Sequence, residues 1–259
     1  MSYLPIPGAS LYFQDAGGGG TAVVFMHPAS GSADSWQHQA PAFQAAGYRP
    51  ITYDLRGWGR SRPDPAATDP GCMSDDLLAL VDHLHLDTFA LVAAAYGGFG
   101  GVDFALRFPA RLHAFVLSGS QGGIADPSYS AVRERVVSPP IRALPIDLRE
   151  LGPSYRTRDP DGVQRWLEIG HAAGEPPASA RQRMRQQIML PMLADLSLPT
   201  LMIAGGADLL APAELMRMIA ARVPNHEFVT IGEAGHCIHW EHPDEWNRLA
   251  LGFLDKHRA

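Results

Sequence analysis

The sequence predicts an α/β fold in which a mostly parallel, doubly wound sheet is flanked by helices and carries an inserted helical lid. Three observations carry that prediction. The short, continuously apolar run Ala22–Met26 has the pattern of a strand buried on both faces, and Tyr48–Tyr53 and Thr200–Ala204 read as further strands. They alternate with stretches whose apolar residues recur at helical spacing, the order in which parallel strands and crossover helices follow one another. From about Gly122 to Leu190 the strand-like runs stop, prolines crowd in at positions 127, 139, 140, 145, 153, 160, 176 and 177, and only short helical pieces fit. Residues 1–121 and 191–259 therefore read as two parts of one core domain, and 122–190 as the lid inserted between them.

Taken in order, Ala9–Asp15 alternates enough for an edge strand, and Gly17–Gly20 is a four-glycine turn. The strand Ala22–Met26 ends at His27-Pro28-Ala29-Ser30-Gly31. A helix from Trp36 to Ala46 is expected next, capped by Ser35 or Asp34, and then the strand Tyr48–Tyr53. That strand feeds Asp54-Leu55-Arg56-Gly57-Trp58-Gly59-Arg60-Ser61, whose glycines permit a tight loop. Met73–Leu84 sets Leu77, Leu80, Val81 and Leu84 at helical spacing, and Asp75 and Asp76 suit the positive end of that helix. An apolar strand starting at Phe89 runs through Ala93-Ala94-Ala95-Tyr96-Gly97 into a helix Gly98–Arg107, and Leu112–Leu117 is the following strand. Beyond the insertion, Thr200–Ala204 leads into Gly205-Gly206-Ala207-Asp208 and a helix opened by Pro212, a favoured first-turn residue. His226–Ile231 is the last strand, Gly235-His236 follows it, and an amphipathic helix Pro243–Lys256 closes the fold.

Four of these junctions carry chemistry. Phe89 to Gly101 resembles the nucleophile elbow of the α/β-hydrolases, Gly-x-Ser-x-Gly, with Ala93 at the first glycine, Ala95 at the nucleophile and Gly97 at the last glycine. Asp54 to Ser61 resembles the family's Asp-x-Arg-Gly-x-Gly-x-Ser loop, about 40 residues ahead of the elbow as it is there. Asp208 occupies the place of the family's acid, and His236, in Gly-His-Cys-Ile-His-Trp-Glu-His-Pro, that of its histidine. The resemblance implies the α/β-hydrolase fold, a His236–Asp208 pair in which the acid fixes the imidazole tautomer, and an oxyanion hole from the backbone N–H groups of Ala29 and Tyr96. Ala29 must serve because Pro28, where the family usually has glycine, has no N–H. Taken singly, Asp208 would read equally well as a helix cap and His236 as a buried histidine; their order at successive strand ends is what argues for the pair.

Ala95 is the departure that matters, since a methyl group cannot attack a carbonyl. Two readings stay open: a serine replaced by alanine to trap a substrate, or a natural loss in which His236 activates water or the substrate itself. The expected activity is hydrolysis of a small organic substrate with an activated carbonyl, whether an ester, an enol lactone or a C–C bond beside a ketone. The alternatives are a lyase or cofactor-free oxygenase using His236 as base, and a non-catalytic ligand-binding protein on the same fold. Substrate contacts are expected from His27 and from Tyr155, Arg156 and Trp166 in the arginine-rich lid, although His27 can equally pin its own loop and most lid arginines can be solvated.

The 259 residues, 46% hydrophobic and 19% charged, suffice for one sizeable core. A net charge of -6 disfavours nucleic acid, and no apolar stretch is long enough for a membrane span. The two cysteines, Cys72 and Cys237, lack metal-ligand spacing and suggest reduced thiols in a cytoplasmic protein. Gly97 to Gly101 lacks the context of a dinucleotide site, so no metal or cofactor is expected. Oligomeric state is not legible.

Overall fold

The computed structural model describes residues 2–258, with the side chain of Ser179 excepted. Among these residues, nine strands form one sheet: β1 (Ser2–Ile6), β2 (Ala9–Asp15), β3 (Thr21–Met26), β4 (Tyr48–Tyr53), β5 (Arg62–Pro63), β6 (Phe89–Ala94), β7 (Leu112–Ser118), β8 (Thr200–Gly205) and β9 (His226–Ile231). Their order is β1-β2-β4-β3-β6-β7-β8-β9, with the short β5 paired to β2. The first two strands are antiparallel and everything from β4 onward is parallel. The fold is the α/β-hydrolase architecture expected of the sequence. β6 and β8 are buried at every position, which is why β6 is an unbroken apolar run and β8 is one but for Thr200.

Alternate strand residues feed two cores. Val24 and Met26 face α2 (Met73–His83), α3 (Gly97–Arg107) and α9 (Ala213–Ala220), while Val23 and Phe25 face α1 (Gln39–Ala45) and α11 (Pro243–Lys256). The chain passes from β3 to β4 on one side and then crosses to β6 on the other. That reversal opens a crevice between the carboxyl ends of β3 and β6, where open α/β sheets bind ligands.

The structure departs from the sequence reading in two places near the N-terminus. Ala9–Asp15 is not the edge of the sheet, because β1 pairs outside it with Tyr3 opposite Tyr12; Pro5 obscures that strand, since proline cannot donate to the ladder and is easiest to place at an edge. The helix expected from Trp36 to Ala46 is cut in two. Ser32, rather than Ser35 or Asp34, caps a single turn Ala33–Trp36 through reciprocal bonds with Ser35, and α1 begins only at Gln39. Pro41 explains the cut, since its ring would clash with the carbonyl of Gln37 in a continuous helix.

Between β7 and β8 lie α4 (Pro127–Val136), α5 (Pro139–Arg142), α6 (Ile146–Glu150), α7 (Pro153–Arg158) and α8 (Pro160–Ala173). Four of these five open on proline, where the missing N–H leaves no helical bond unmade. The segment leaves and rejoins the core side by side, for Ile124 bridges to Ile188 and the Ala125 N–H donates to the Ile188 carbonyl at 2.8 Å. A further short helix, α10 (Ile238–Glu241), follows His236.

Candidate active site

The turn after β6 holds Ala95 at φ +47, a left-handed conformation that costs a non-glycine residue on the order of 1–3 kcal/mol. Its neighbours hold it there. The Ala95 N–H donates to the Ser118 carbonyl at 3.0 Å, and the Ala95 carbonyl accepts from the Ser120 hydroxyl at 2.6 Å and the Gly98 N–H at 3.1 Å. A Cβ on Gly97 would stand 2.6 Å from the Met26 carbonyl oxygen, so that glycine lets the turn press against the end of β3. The Ala93 methyl packs against Gly101, where a Cβ would come within 2.9 Å of it.

The loop after β8 presents Asp208, whose carboxylate takes three partners. Oδ1 accepts from the Leu210 and Ala211 N–H groups at 2.7 and 2.8 Å, and the His236 Nδ1–H lies 3.0 Å from Oδ1 and 2.9 Å from Oδ2. The aspartate is thus both a turn cap and the partner of the histidine. His236 is held from the other side as well, since its backbone N–H and that of Cys237 both donate to the Glu150 carbonyl, at 2.8 and 3.1 Å. Burial alone would lower the His236 pKa, but the charge and hydrogen bond of Asp208 reverse that and raise it above 6.5. With Nδ1–H committed to Asp208, the neutral ring offers a lone pair on Nε2.

His236 and Ala95 line one cavity of about 390 Å³ together with Pro28, Ala29, Ser30 and Tyr96. The Ala29 and Tyr96 N–H groups donate to no other described residue, and the Ala29 carbonyl is fixed by the Trp58 indole N–H at 2.6 Å. From the lid come Arg133, Arg142, Arg149 and Glu150. Arg149 donates to the Arg142 carbonyl at 2.9 Å and approaches Glu150 Oε1 at 3.4 Å, and the buried Nε of Arg133 has no partner among the described residues. The Ser30 hydroxyl donates to Glu150 Oε2, as does the Trp166 indole N–H at 3.3 Å.

Four expected substrate contacts are not on this cavity wall. His27 is fully buried, its Nδ1–H donating to the Pro28 carbonyl at 2.7 Å and its Nε2 accepting from the Leu55 N–H at 2.8 Å, so it ties the loop after β3 to the loop after β4. Desolvation holds its pKa down and the ring neutral, as both bonds require. Tyr155 and Trp166 pack with Ile169, Cys237 and Trp240 between lid and core, and the Arg156 Nε–H donates to the Leu151 carbonyl at 3.2 Å. Aromatic side chains on a lid helix bury their area against the core before they serve a ligand. The lid residues that do reach the cavity, Arg133, Arg142, Arg149 and Glu150, carry no sequence signal that separates them from the other charges of the insert. Among the described residues, no group of three histidine, cysteine, aspartate or glutamate side chains converges as metal ligands would, and no helix is long and apolar enough to cross a membrane.

A family model described as alpha/beta hydrolase family matches residues 23–249. Over 94% of this chain and 90% of the relative, the sequence is 27% identical to a 2-hydroxy-6-oxononadienedioate/2-hydroxy-6-oxononatrienedioate hydrolase of Paraburkholderia xenovorans (strain LB400). A thermophilic esterase from Thermogutta terrifontis, solved with malate bound, is similar over the whole of both chains with a TM-score of 0.82 and 26% identity. The enol-lactonase of Burkholderia xenovorans LB400 shares the fold at a TM-score of 0.79 and 22% identity, over 98% of this chain and all of that one.

Proposed function

Because the chain belongs to the alpha/beta hydrolase family, we propose that it hydrolyses a small, carboxylate-bearing substrate at an activated carbonyl, with His236 as the general base. One observation carries the reading: His236, paired with Asp208, lines a single cavity with Ala29, Tyr96, three arginines and Glu150. The arginines suit a carboxylate, which a guanidinium binds through paired hydrogen bonds. Two relatives favour the same chemistry, one acting on a dienedioate and the other holding malate.

Since Ala95 supplies no nucleophile, the attacking group is water. Its oxygen bonds to the carbonyl carbon as His236 Nε2 takes a proton, and Asp208 steadies the imidazolium. The Ala29 and Tyr96 N–H groups hold the oxyanion until it collapses, and His236 returns the proton to the leaving oxygen or carbon. General-base catalysis contributes about 10² to 10⁴-fold and each oxyanion donor about 10² to 10³-fold, which suits reactive carbonyls rather than sluggish esters. Activated esters, enol lactones and vinylogous keto acids are all within this scheme.

The same lack of a nucleophile favours a second reading, in which His236 removes a proton from the substrate itself and a lyase or oxygenase step follows. Turnover in ¹⁸O-labelled water separates the two. Hydrolysis places one labelled oxygen in the product acid, and an unlabelled product overturns the first reading. Replacing His236 by alanine abolishes turnover under either, and unchanged turnover in that variant would remove the base from both.

A further inference from the structure

We propose that Ser30 is a positioning residue: with its hydroxyl hydrogen committed to Glu150, it offers only lone pairs to the cavity and holds the second proton of the water that His236 activates. The inference rests on the hydrolytic reading above. A water that gives one proton to His236 Nε2 still carries another, and unless that proton also has an acceptor the oxygen swings freely about the first bond. The acceptor must line the same cavity as His236 and must not compete as a donor.

Ser30 meets both conditions. It lines the cavity with His236 and Ala95, one residue beyond the Ala29 N–H. Its hydroxyl donates to Glu150 Oε2, so it cannot turn its hydrogen toward the cavity without losing that bond. Glu150 is itself fixed, by the Trp166 indole on Oε2 and Arg149 on Oε1. The same residue's backbone carbonyl receives the His236 and Cys237 N–H groups, so base and acceptor are hung from one residue and keep their relation to each other. Gly170 lies against the Ser30 carbonyl so closely that a Cβ there would come to 2.9 Å, which locks the serine backbone from the lid side. In the reaction the water oxygen bonds to the carbonyl carbon, one proton passes to Nε2, and the other stays on oxygen in its bond to Ser30. The carbon-to-leaving-group bond then breaks as His236 returns its proton.

The test compares two nucleophiles with 4-nitrophenyl acetate in water containing methanol, using the wild type, Ser30→Ala, Ser30→Thr and His236→Ala. Water needs two acceptors and methanol one. Ser30→Ala is expected to lower kcat for hydrolysis by roughly 5- to 10-fold, the range of one lost hydrogen bond, with KM little changed. It raises the ratio of methyl acetate to acetate by a similar factor, and Ser30→Thr restores both. Equal loss of hydrolysis and methanolysis in Ser30→Ala would mean that His236 has merely shifted, and would overturn the proposal, as would an unchanged product ratio. Retained turnover in His236→Ala sinks the hydrolytic reading instead. A crystal structure decides independently of turnover: an ordered water within hydrogen-bond distance of both Ser30 Oγ and His236 Nε2, absent in Ser30→Ala, supports the assignment, and its absence from a well-ordered wild-type cavity refutes it.

Discussion

Restoring a hydroxyl to the elbow is the most demanding test of the site. Ala95 already stands at φ +47 and is anchored through Ser118, Ser120 and Gly98, so Ala95→Ser meets the same backbone strain and adds a single oxygen. The residue is on the cavity wall, so the oxygen has room and stability should change by no more than about 0.5 kcal/mol. The effect on rate is larger. A hydroxyl held for attack reaches effective molarities of about 10⁵ M and above in well-oriented systems, against about 55 M for water, so a gain of roughly 10² to 10³-fold on an activated ester is a modest expectation. Stopped-flow mixing with 4-nitrophenyl acetate should show a burst of one 4-nitrophenolate per chain, and a fluorophosphonate should add covalently to residue 95, located by tandem mass spectrometry. A variant with unchanged circular dichroism but neither burst nor adduct would show that His236 is not poised above that position.

Four further outcomes are expected. Because His236 acts as a base only when neutral and its pKa is raised, mainly against burial by Asp208, kcat/KM for wild-type hydrolysis should rise with pH through a midpoint above 6.5; a midpoint below it contradicts the assignment. Arg133→Ala, Arg142→Ala or Arg149→Ala should raise KM for a carboxylate-bearing ester by roughly 10-fold or more while sparing its neutral methyl ester, since a charge-assisted bond is worth about 1.5–3 kcal/mol; equal effects on both esters would exclude carboxylate recognition. Burial raises the Glu241 carboxyl to about 7, so the folded state keeps a proton that the unfolded chain gives up near 4.5, and stability from this group is full below 4.5 and falls as pH rises to 7, by about 3 kcal/mol. Glu241→Gln should flatten that slope in chemical denaturation between pH 5 and 8, and an unchanged slope rejects the cause. Gly97→Ala, which sets a methyl 2.6 Å from the Met26 carbonyl oxygen, should cost about 1–3 kcal/mol and shift the urea midpoint accordingly; an unshifted midpoint would mean the elbow yields.

What the sequence could show followed from how local each signal is. Tyr48–Tyr53, His226–Ile231 and Pro243–Lys256 have the bounds read from their apolar patterns, because strand burial and helix amphipathicity are written residue by residue. Asp208 and His236 were legible as candidates because each stands on the loop ending a strand, and parallel neighbours β8 and β9 bring those ends together. Ser30 and Glu150 were not, for they are 120 residues apart and only the packing of α6 against the loop after β3 joins them. The lid arginines defeated the reading for a related reason: Arg149 and Arg156 have the same chemistry, and which one reaches the cavity depends on how α6 and α7 turn at Gly152. There a Cβ would stand 2.6 Å from the Glu233 carbonyl oxygen, a contact no local pattern announces. β1 was lost to Pro5, and the break before α1 to Pro41, two cases in which a proline's meaning depends on its place in the finished sheet or helix.

The Ile124–Ile188 bridge sets the two ends of the lid beside each other on the core, so the 63 positions from 125 to 187 close a loop whose mouth is already shut. Most of such a segment can change length or content without moving the strand ends that carry His236 and Asp208, since closure entropy grows only slowly with loop length. Glu150 is the exception, because its carbonyl receives the His236 and Cys237 N–H groups and its carboxylate the Ser30 hydroxyl. The insert is thus a cassette with one fixed pin: exchange of the remainder is expected to redirect the enzyme's diet, while exchange of Glu150 would disturb the chemistry itself.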